Sequence, residues 1–298
     1  MKITITGSLG NISKPLAKKL KAAGHQLTII SHSEKRRAEI EELGATAAIG
    51  SINDATFLKN TFTGADAAYV MVPPAMGGNN IVINTGLAGE AIAKAIVESG
   101  VKRVVLLSSV GADLETGTGP IAGLYKVEQH LNKIAGVNFT FLRAGYFYIN
   151  FYNNVPMIQN MKIMGGNFAA TTVLPLAHPE DIASAVAEEL QMKTSSSKVR
   201  YIVSDLKTLR ELAGGIGAGI EIPELPWVEF SDEDALKGMK QAGLPEELAE
   251  LYTEMGRGFR TGKLTQHFIG SGSPVSGKIK LGEFAKEFAS EFNKTTVA

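Results

Sequence analysis

The chain has 298 residues, 44% of them hydrophobic, enough for one large core or for a main domain with a smaller appendage. Thirty basic and thirty acidic residues give a formal net charge of zero, so no strongly charged surface favours nucleic acid as a partner. There is no cysteine, which excludes disulfides, a thiolate metal site and a cysteine nucleophile.

The start of the chain reads directly as an apolar strand, residues 2–6, and leaves no room for a signal peptide. No apolar run in the sequence is long enough to span a bilayer. We therefore expect a soluble, cytoplasmic protein with no membrane partner.

Apolar, β-branched runs alternate with helical patterns through the first 205 residues. This alternation predicts an α/β fold in which a doubly wound parallel sheet is covered by helices on both faces. Two of the clearest helical patterns are 83–100 and 179–192. The predicted strands are 2–6, 26–31, 45–50, 67–72, 101–109, 137–143 and 199–204.

The pattern changes near residue 205, where short helices replace the alternation. Ser231, followed by three acids, predicts a helix N-cap, and Pro245, followed by two glutamates, opens another helix. A surface loop, 270–278, precedes a last helix from 279 to about 292. We predict a main domain (1–205) and a smaller, mostly helical cap (206–298), to which the segment 145–175 contributes.

The connection after the first strand has the spacing Thr6-Gly7-x-x-Gly10-x-x-Ser13, so Ser13 stands where a dinucleotide-binding turn has its third glycine. A turn with two glycines can also be a tight strand-to-helix connection that binds no ligand. We favour dinucleotide binding, because the next helix, predicted to include Asn11 to Leu20, points its amide groups and positive dipole end at the turn. The predicted contacts with the cofactor here are Gly7, Ser8, Leu9, Gly10, Asn11 and Ile12.

The second strand ends in Ser31, His32 and Ser33, where an NAD-specific site normally has a carboxylate for the ribose 2′-OH. Hydroxyl groups followed by a run of cations, 35–37, suit the 2′-phosphate of NADP(H) better than a diol. We therefore predict NADP(H), with NAD(H) as the weaker candidate.

The cations at 35–37 have a second interpretation as a solvated helix face. Lys35 can pair with Glu39, and Arg37 with Glu41, at i,i+4 spacing. Arg36 has no acid at i+4, and we therefore predict that Arg36 contacts the 2′-phosphate.

Several longer motifs run from residue 1 to about 290: ITGSLGNIS, GADAAYVMVPP, VKRVVLLSSVGA, AGVNFTFLRAGYFYIN, LPLAHPEDIASAVAEEL and YIVSDLKTLRELA. In these motifs the chain resembles the NmrA-like branch of the atypical short-chain dehydrogenases/reductases. That resemblance implies a Rossmann fold and a bound dinucleotide more firmly than a reaction. Members include NADPH-dependent quinone reductases, relatives acting on phenolic ethers, and sensors that bind the dinucleotide without turnover.

The resemblance also implies positions along the cofactor. Val72 and Pro73 would follow the fourth strand, and Ser108 and Ser109 the fifth. The segment 143–147 would border the nicotinamide, which adds Gly145, Tyr146 and Phe147 to the predicted site.

Short-chain dehydrogenases typically carry a Tyr and a Lys four residues apart on one helix face. In the helix predicted over 119–136, Tyr125 has Gln129 at i+4, and Lys126 is adjacent to Tyr125. Tyr125 and Lys126 are the candidate catalytic residues, and Lys126 is also a candidate ribose contact, but the usual pair is missing.

Other chemistry finds little support in the sequence. The five histidines show no metal-ligand spacing, and no G-x-S-x-G motif indicates a hydrolase. His178 we interpret as scaffolding before a helix. The aromatic and methionine side chains between 147 and 164 have two open interpretations, a core or an adaptable wall for a flat substrate.

From these features we expect NADPH-dependent reduction of a quinone or similar flat electrophile. The alternative is a non-catalytic NADP(H) sensor that acts through a protein partner. A nucleotide-sugar epimerase or dehydratase is disfavoured, because that chemistry needs the missing Tyr/Lys pair.

Overall fold

The computed structural model describes residues 1–73, 79–192 and 196–296, with side chains described as far as residue 294. The strands in this part of the chain are β1 (Lys2–Ile5), β2 (Gln26–Ser31), β3 (Thr46–Ile49), β4 (Ala67–Val70), β5 (Arg103–Ser109), β6 (Asn138–Ala144), β7 (Tyr146–Phe147), β8 (Met164–Gly166), β9 (Val173–Ala177), β10 (Lys198–Ile202), β11 (Asp205–Thr208) and β12 (Trp227–Glu229).

Helices connect most of these strands. They are α1 (Ser13–Ala22), α2 (Arg37–Glu42), α3 (Ala55–Phe62), α4 (Ile81–Ser99), α5 (Ile121–Asn132), α6 (Val155–Met161), α7 (Pro179–Gln191), α8 (Leu209–Gly219), α9 (Asp232–Gln241), α10 (Glu246–Arg260), α11 (Gln266–Gly270) and α12 (Leu281–Thr296). Short 3-10 helices span Glu34–Arg36, Tyr148–Asn154 and Lys263–Thr265.

The central sheet has seven strands in the order β10-β6-β5-β4-β1-β2-β3, and every neighbouring pair is parallel. Each of these strands lies where an apolar run predicted one, so the doubly wound Rossmann fold is confirmed. The strand order reverses between β1 and β4. In such sheets, ligands bind in the crevice at the carboxyl ends of the strands beside this switch point.

Apolar side chains on both faces of the sheet form two large cores. One core packs α1 and α7 against the sheet, and the other packs α3, α4 and α5 against the opposite face. Helices α4 and α5 approach each other closely through glycines: a Cβ on Gly89 would lie 2.9 Å from Val127, and one on Gly123 would lie 2.6 Å from Thr85. This close contact fixes α5 against the rest of the domain.

A third core lies under the last third of the chain and is rich in aromatic rings. Tyr148 stacks on Phe284 with ring centroids 4.7 Å apart, and Tyr152 stacks on Phe288 at 5.4 Å. Tyr148 is fully buried, which supports the core interpretation for much of the aromatic segment 147–164. Met161, by contrast, is 61% exposed and belongs to no buried wall.

Two small sheets belong to this part of the molecule, and the sequence analysis missed both. One has the order β11-β9-β7, and the other pairs β12 with β8. The helix signals were read correctly: Ser231 caps α9, and Glu246 and Glu247 lie in the first turn of α10. The division into two domains near residue 205 stays a prediction.

The segment predicted as a surface loop, 270–278, makes buried contacts at its end. A Cβ on Gly277 would lie 2.6 Å from both Asp181 and the Ser204 hydroxyl. The Ile279 amide donates to Asp181 at 3.0 Å, and α12 begins at Leu281 rather than at 279. The loop thus anchors α12 to the start of α7.

His178 precedes α7 as its N-cap and accepts a hydrogen bond from the Glu180 amide. Its Nε2 lies 3.0 Å from Glu287 of α12. These two contacts agree with a scaffolding role.

Asp232, the first residue of α9, gathers three donors from other parts of this region. It accepts from Asn167 at 2.9 Å and pairs with Arg257 at 2.7 Å and Arg260 at 3.1 Å. Burial opposes the charged carboxylate, but the hydrogen bonds from Asn167, Arg257 and Arg260 outweigh it and lower the pKa of Asp232. We call these four residues the Asp232 cluster.

Among the residues that the structure describes, no helix combines the length and the apolar character needed to cross a membrane.

Candidate dinucleotide-binding site

The turn between β1 and α1 depends on Gly7. Gly7 and Ser8 have φ angles of 84° and 55°, in the left-handed region that favours glycine. A Cβ on Gly7 would lie 2.8 Å from the Ser13 hydroxyl and 2.9 Å from Met71. A Cβ on Gly10 would have one neighbour, the Gly7 carbonyl at 3.3 Å. Gly7 therefore permits the turn, and Gly10 leaves open space beside it.

Ser13 occupies the position of the third glycine without disturbing the packing. It is 3% exposed, and its hydroxyl donates to the Thr6 carbonyl at 3.0 Å. The helix starts at Ser13, two residues later than predicted, so Asn11 and Ile12 belong to the turn.

The amide groups of Leu9, Asn11 and Ile12 have no hydrogen-bond acceptor in the described residues. The Leu9 and Ile12 side chains are buried, so these residues offer a ligand their backbone. Three free donors at the N-terminus of a ten-residue helix form a favourable place for a phosphate group.

The turn is tied to the end of β2. The Ser8 amide donates to the Ile30 carbonyl at 3.0 Å, and its hydroxyl donates to the Ser31 hydroxyl at 3.1 Å. Ser31 is 2% exposed and also accepts from the Ser33 amide. The Ser31 hydroxyl, predicted as a phosphate donor, is thus committed to internal hydrogen bonds, whereas His32 is exposed and Ser33 is half-buried.

The cation predicted for the 2′-phosphate, Arg36, is paired. Its guanidinium donates to Glu39 at 2.6 Å, an i,i+3 contact that the i+4 argument overlooked. Lys14 from α1 reaches the same carboxylate at 2.8 Å. The hydrogen bonds from Lys14 and Arg36 lower the pKa of Glu39. The carboxylate holds both cations near the end of β2.

The neighbouring cations differ in their pairing. Arg37 is held by Glu34 and, as predicted, by Glu41 at 3.6 Å. Lys35 makes no ion pair within the described residues, and the predicted pair with Glu39 is wrong, because Lys14 and Arg36 occupy that carboxylate.

The strand ends near the switch point are partly described. Val72 is buried and Pro73 is exposed, and the residues that follow, 74–78, lie outside the described part. Ser108 is 3% exposed and donates to Glu128 at 2.6 Å, and the Ser109 hydroxyl donates to the Val110 carbonyl. The Ser108 hydroxyl is therefore engaged inside the protein rather than offered to a ligand.

A buried ion pair that the sequence analysis missed lies behind Ser108. Arg143 donates to the two Glu128 oxygens at 3.0 and 2.6 Å, and its other nitrogen lies 3.4 Å from Asp113. Burial would lower the pKa of Arg143, but the hydrogen bonds and charge of Glu128 outweigh it and raise the pKa. The pair locks α5 to the carboxyl ends of β5 and β6.

Tyr125 and Lys126 are both half-buried on α5. Neither makes a hydrogen bond or ion pair within the described residues. A Cβ on Gly86 would lie 3.0 Å from the Lys126 side chain, so the stem of Lys126 packs on α4. Gln129, at i+4 from Tyr125, is exposed. The structure thus brings no lysine to Tyr125 on its own helix.

The segment after β6 is shaped by close backbone packing. A Cβ on Gly145 would lie 2.4 Å from the Pro175 carbonyl, so only glycine fits at this position. Tyr146 and Phe147 then form β7, which pairs with Leu176 and Ala177 of β9. Both rings are half-buried.

Tyr146 is supported by buried aromatic rings. Its centroid lies 5.3 Å from Phe151, 6.2 Å from Phe168 and 6.0 Å from Phe259. Burial, with a smaller contribution from Tyr252, raises the pKa of Tyr146, while a hydrogen bond with Asn150 opposes this. Tyr146 therefore keeps its phenolic proton at neutral pH.

Helix α10 covers the start of α5. A Cβ on Gly119 would overlap the Leu251 carbonyl of α10, and Met255 packs in the same apolar cluster as Tyr146 and Leu124. The Glu247 carboxylate accepts from the amides of Asn80 and Ile81, at 2.6 and 2.7 Å, and so caps α4. We call this contact the Glu247 cap.

In the described part of the chain, no group of three or more His, Asp or Glu side chains could hold a metal ion.

The model of the NmrA-like family matches residues 1–222, about three quarters of the chain. The chain belongs to the NmrA-like family. The resemblance drawn from the sequence motifs is thereby confirmed.

Individual relatives are distant in sequence but extend over nearly the whole chain. An NAD(P)H azoreductase from Xenophilus azovorans is 24% identical, with 97% of this chain and 99% of the relative covered. An NADPH-dependent quinone oxidoreductase from Escherichia coli superposes with a TM-score of 0.76 at 20% identity, covering 96% of this chain and 98% of the other. A Citrobacter triphenylmethane reductase, solved with NADP(H), gives 0.79 at 19% identity, covering 96% and 99%. These likenesses show a shared fold.

Proposed function

We propose that this protein is an NADP(H)-dependent oxidoreductase that reduces a quinone or a similar flat electrophile. The observation that carries the proposal is the turn at Gly7–Gly10, with open space beside Gly10 and the unpaired amides of Leu9, Asn11 and Ile12. It lies at the end of β1, beside the β1/β4 switch point of a Rossmann sheet. A pyrophosphate fits such a place.

The end of β2 supports NADP(H) over NAD(H). The strand end itself has serines and a histidine in place of a carboxylate, and the nearby acids Glu34 and Glu39 are paired with cations. His32, Ser33, Lys35 and Arg36 are accessible there. Of the similar proteins, a triphenylmethane reductase of the same fold was solved with NADP(H), and the name of the NAD(P)H azoreductase covers both cofactors.

The residues beyond the turn support reduction of a planar acceptor. A bound NADPH would supply a hydride. Tyr146 and Phe147 present half-buried rings, and the buried rings behind Tyr146 hold it in place. Helix α10 covers the start of α5 and would help to exclude water from a bound acceptor. A reduced quinone oxygen is a stable anion, so positioning serves this chemistry without a Tyr/Lys pair.

A second candidate function is a non-catalytic NADP(H) sensor. The observation that favours it is the missing proton-transfer pair. The Lys126 stem packs on Gly86, Tyr125 has no lysine at i+4, and the Ser108 hydroxyl is held by Glu128. Such a protein would bind the two redox forms of the cofactor with different affinities and pass the difference to a partner.

The two candidates are separated by mixing the protein with NADPH and a panel of quinones, azo dyes and triphenylmethane dyes. Loss of the NADPH absorbance with any of them supports the reductase. Tight NADPH binding without oxidation, together with weaker binding of NADP⁺, supports the sensor. Absence of NADPH binding contradicts both.

The location of the cofactor is tested by Gly10→Val. The branched side chain would fill the open space beside the turn, and we expect the affinity for NADPH to fall at least about 100-fold, the loss of roughly two charge-assisted hydrogen bonds. The fold should be retained, because Gly10 is exposed. Calorimetric titration measures the affinity, and circular dichroism checks the fold.

The matched control is Gly238→Val. Gly238 lies in α9, and a Cβ added to it would meet no other atom within 4 Å, so NADPH affinity should stay at the wild-type value. A folded Gly10→Val variant that binds NADPH as tightly as this control would place the cofactor elsewhere.

A further inference from the structure

A cavity of about 310 Å³ lies at the β10 edge of the central sheet, between that strand and α5. Its floor is apolar. Val199 of β10 lies beside Phe141 of β6 in the parallel register, and both side chains line the cavity. Phe141 is buried, whereas Val199 is 39% exposed, so the floor is open to a ligand.

One wall of the cavity is polar. Gln129 and Asn132 of α5 line it, and both are exposed. Within the part of the chain that the structure describes, neither side-chain amide makes a hydrogen bond. An amide group both donates and accepts hydrogen bonds, so this wall can contact a polar group of a ligand.

The charged groups at the cavity leave one carboxylate without a cation of its own. Arg143 and Glu128 are almost wholly buried, and Arg143 donates to both Glu128 oxygens, at 3.0 and 2.6 Å. The Lys198 ammonium pairs with Glu189 of α7, on the opposite face of the sheet, at 2.9 Å. Asp113 has one contact among the described residues, with the far nitrogen of Arg143 at 3.4 Å. The two acids and one cation at this end of the cavity therefore carry a net negative charge.

We propose that this cavity binds a small primary amine that carries one aromatic ring. The ring would lie on Phe141 and Val199, and the ammonium group would pair with Asp113. Arg143, which contacts Asp113, is two residues from Phe141 on β6, about 6.5 Å along the strand and within reach of a two-carbon linker. The volume is near the lower limit of ligand pockets, about 300 Å³, and suits one ring better than two.

The charge of the ligand follows from the same groups. A ligand carboxylate would face Asp113 and Glu128 against the single guanidinium of Arg143, which is already engaged by Glu128. A neutral ligand would leave Asp113 with its one long contact. An ammonium group supplies the missing charge and donates to the carboxylate.

The first test compares three probes with the same ring and two-carbon chain but different charge: phenethylamine, 2-phenylethanol and phenylacetate. They are titrated into the wild-type protein with labelled valine methyl groups, and NMR follows the Val199 signal, assigned with Val199→Ile. Phenethylamine should shift this signal with a dissociation constant below about 1 mM. 2-Phenylethanol should bind at least about tenfold more weakly, and phenylacetate more weakly still. The signal of Val173, 50% exposed on β9 and not part of the cavity, should stay unchanged.

The second test removes the charge of Asp113. Asp113→Asn should weaken phenethylamine binding at least about tenfold and change the affinity for 2-phenylethanol less than about twofold. The fold should be retained, because Arg143 keeps both contacts with Glu128. The control is Glu115→Gln, which removes an exposed acid two residues further along that does not line the cavity. It should change either affinity less than about twofold.

A Val199 signal that does not move at about 10 mM phenethylamine overturns the proposal. So does phenylacetate binding as tight as that of the amine, which would make Arg143 the determinant. Equal losses in Asp113→Asn and Glu115→Gln would mean that the amine responds to the general charge of this surface rather than to Asp113. A shift of Val173 without one of Val199 would place the amine outside the cavity.

Discussion

Ser13 shows why a serine can stand in a position where this kind of turn usually has glycine. Its side chain is small, and its hydroxyl bonds the Thr6 carbonyl at the end of β1. The hydrogen bond satisfies a group that a glycine would leave to water or to another donor. A departure from a motif can therefore preserve the backbone geometry on which the motif depends.

At the same scale, we expect Arg36→Ala to weaken NADPH about tenfold and to change NADH affinity less than about twofold. Arg36 lies at the end of β2, and Glu39 holds it there, whereas NADH offers it no phosphate. Paired titrations of both cofactors measure the effect, which should shrink at high salt because the guanidinium is exposed.

Arg37→Ala is the control for that experiment, because two acids, Glu34 and Glu41, engage its guanidinium, whereas Arg36 shares the single carboxylate of Glu39 with Lys14. It should leave both affinities close to wild type. Equal weakening of NADPH and NADH by Arg36→Ala would mean that Arg36 supports the fold rather than the phosphate.

Tyr125 provides a test of the missing pair. If the protein turns over quinones, we expect Tyr125→Phe to reduce kcat by less than about tenfold, whereas a positioned general acid contributes roughly 100-fold or more. The physical reason is that no lysine approaches the Tyr125 hydroxyl from its own helix. Steady-state kinetics measures kcat, and NADPH affinity should be unchanged in the variant. A loss of kcat of about 100-fold would show that Tyr125 is the proton donor.

At the scale of elements, the Glu128–Arg143 pair joins α5 to β5 and β6. Both side chains are nearly inaccessible, so Glu128→Gln would remove the main counter-charge of a buried guanidinium and leave it Asp113, at 3.4 Å. We expect a loss of about 3–5 kcal/mol in the free energy of unfolding, measured by urea denaturation. Replacing both partners, as Glu128→Leu/Arg143→Met, should recover part of that loss.

Glu98→Gln is the matched control for Glu128→Gln. Glu98 also lies on a helix and pairs with a cation, Lys59, but at 3.7 Å and on the surface. Its replacement should cost below about 1 kcal/mol. Equal losses for the two variants would mean that the buried pair contributes no more than an exposed one.

The elements also show how far the sequence could predict this structure. Strands buried on both faces read as continuous apolar runs, which is why all seven strands of the central sheet were predicted. β7, β8 and β12 have two or three residues each, too few for a periodic signal. Their pairing depends on distant segments brought together by the fold.

The candidate site, too, was predictable from the sequence only in part. The turn at Gly7–Gly10 was predictable, because its chemistry is local to one strand–turn–helix unit. The Glu128–Arg143 pair joins two elements, and the commitment of Ser31 depends on Ser8 from another loop. Arg143 at the end of the apolar run FTFLR was a visible signal of a buried partner, but the sequence did not say which acid it meets.

At the scale of the whole molecule, the Asp232 cluster holds α9, α10 and the segment at residue 167 together. Because its folded pKa is lowered, the Asp232 carboxylate stabilises the fold above its ordinary titration range, and this contribution is lost as the pH falls through the folded pKa. We expect Asp232→Asn to cost about 1–2 kcal/mol at pH 7 and clearly less at pH 3, measured by urea denaturation at both.

Glu233→Gln controls for the loss of one negative charge in the first turn of α9. Glu233 is exposed, and we expect a cost below about 0.5 kcal/mol at either pH. A loss for Asp232→Asn that is the same at pH 7 and pH 3 would show that the charge of Asp232 plays no part in the cluster.

The Glu247 cap bears on how this chain could be divided or recombined. The first amides of α4 take their acceptor from α10, 166 and 167 residues further along the chain. A fragment ending near residue 205 would lose that acceptor, and its α4 would begin with two more unsatisfied donors. A C-terminal segment taken from another protein would therefore need a carboxylate at the same place to cap α4.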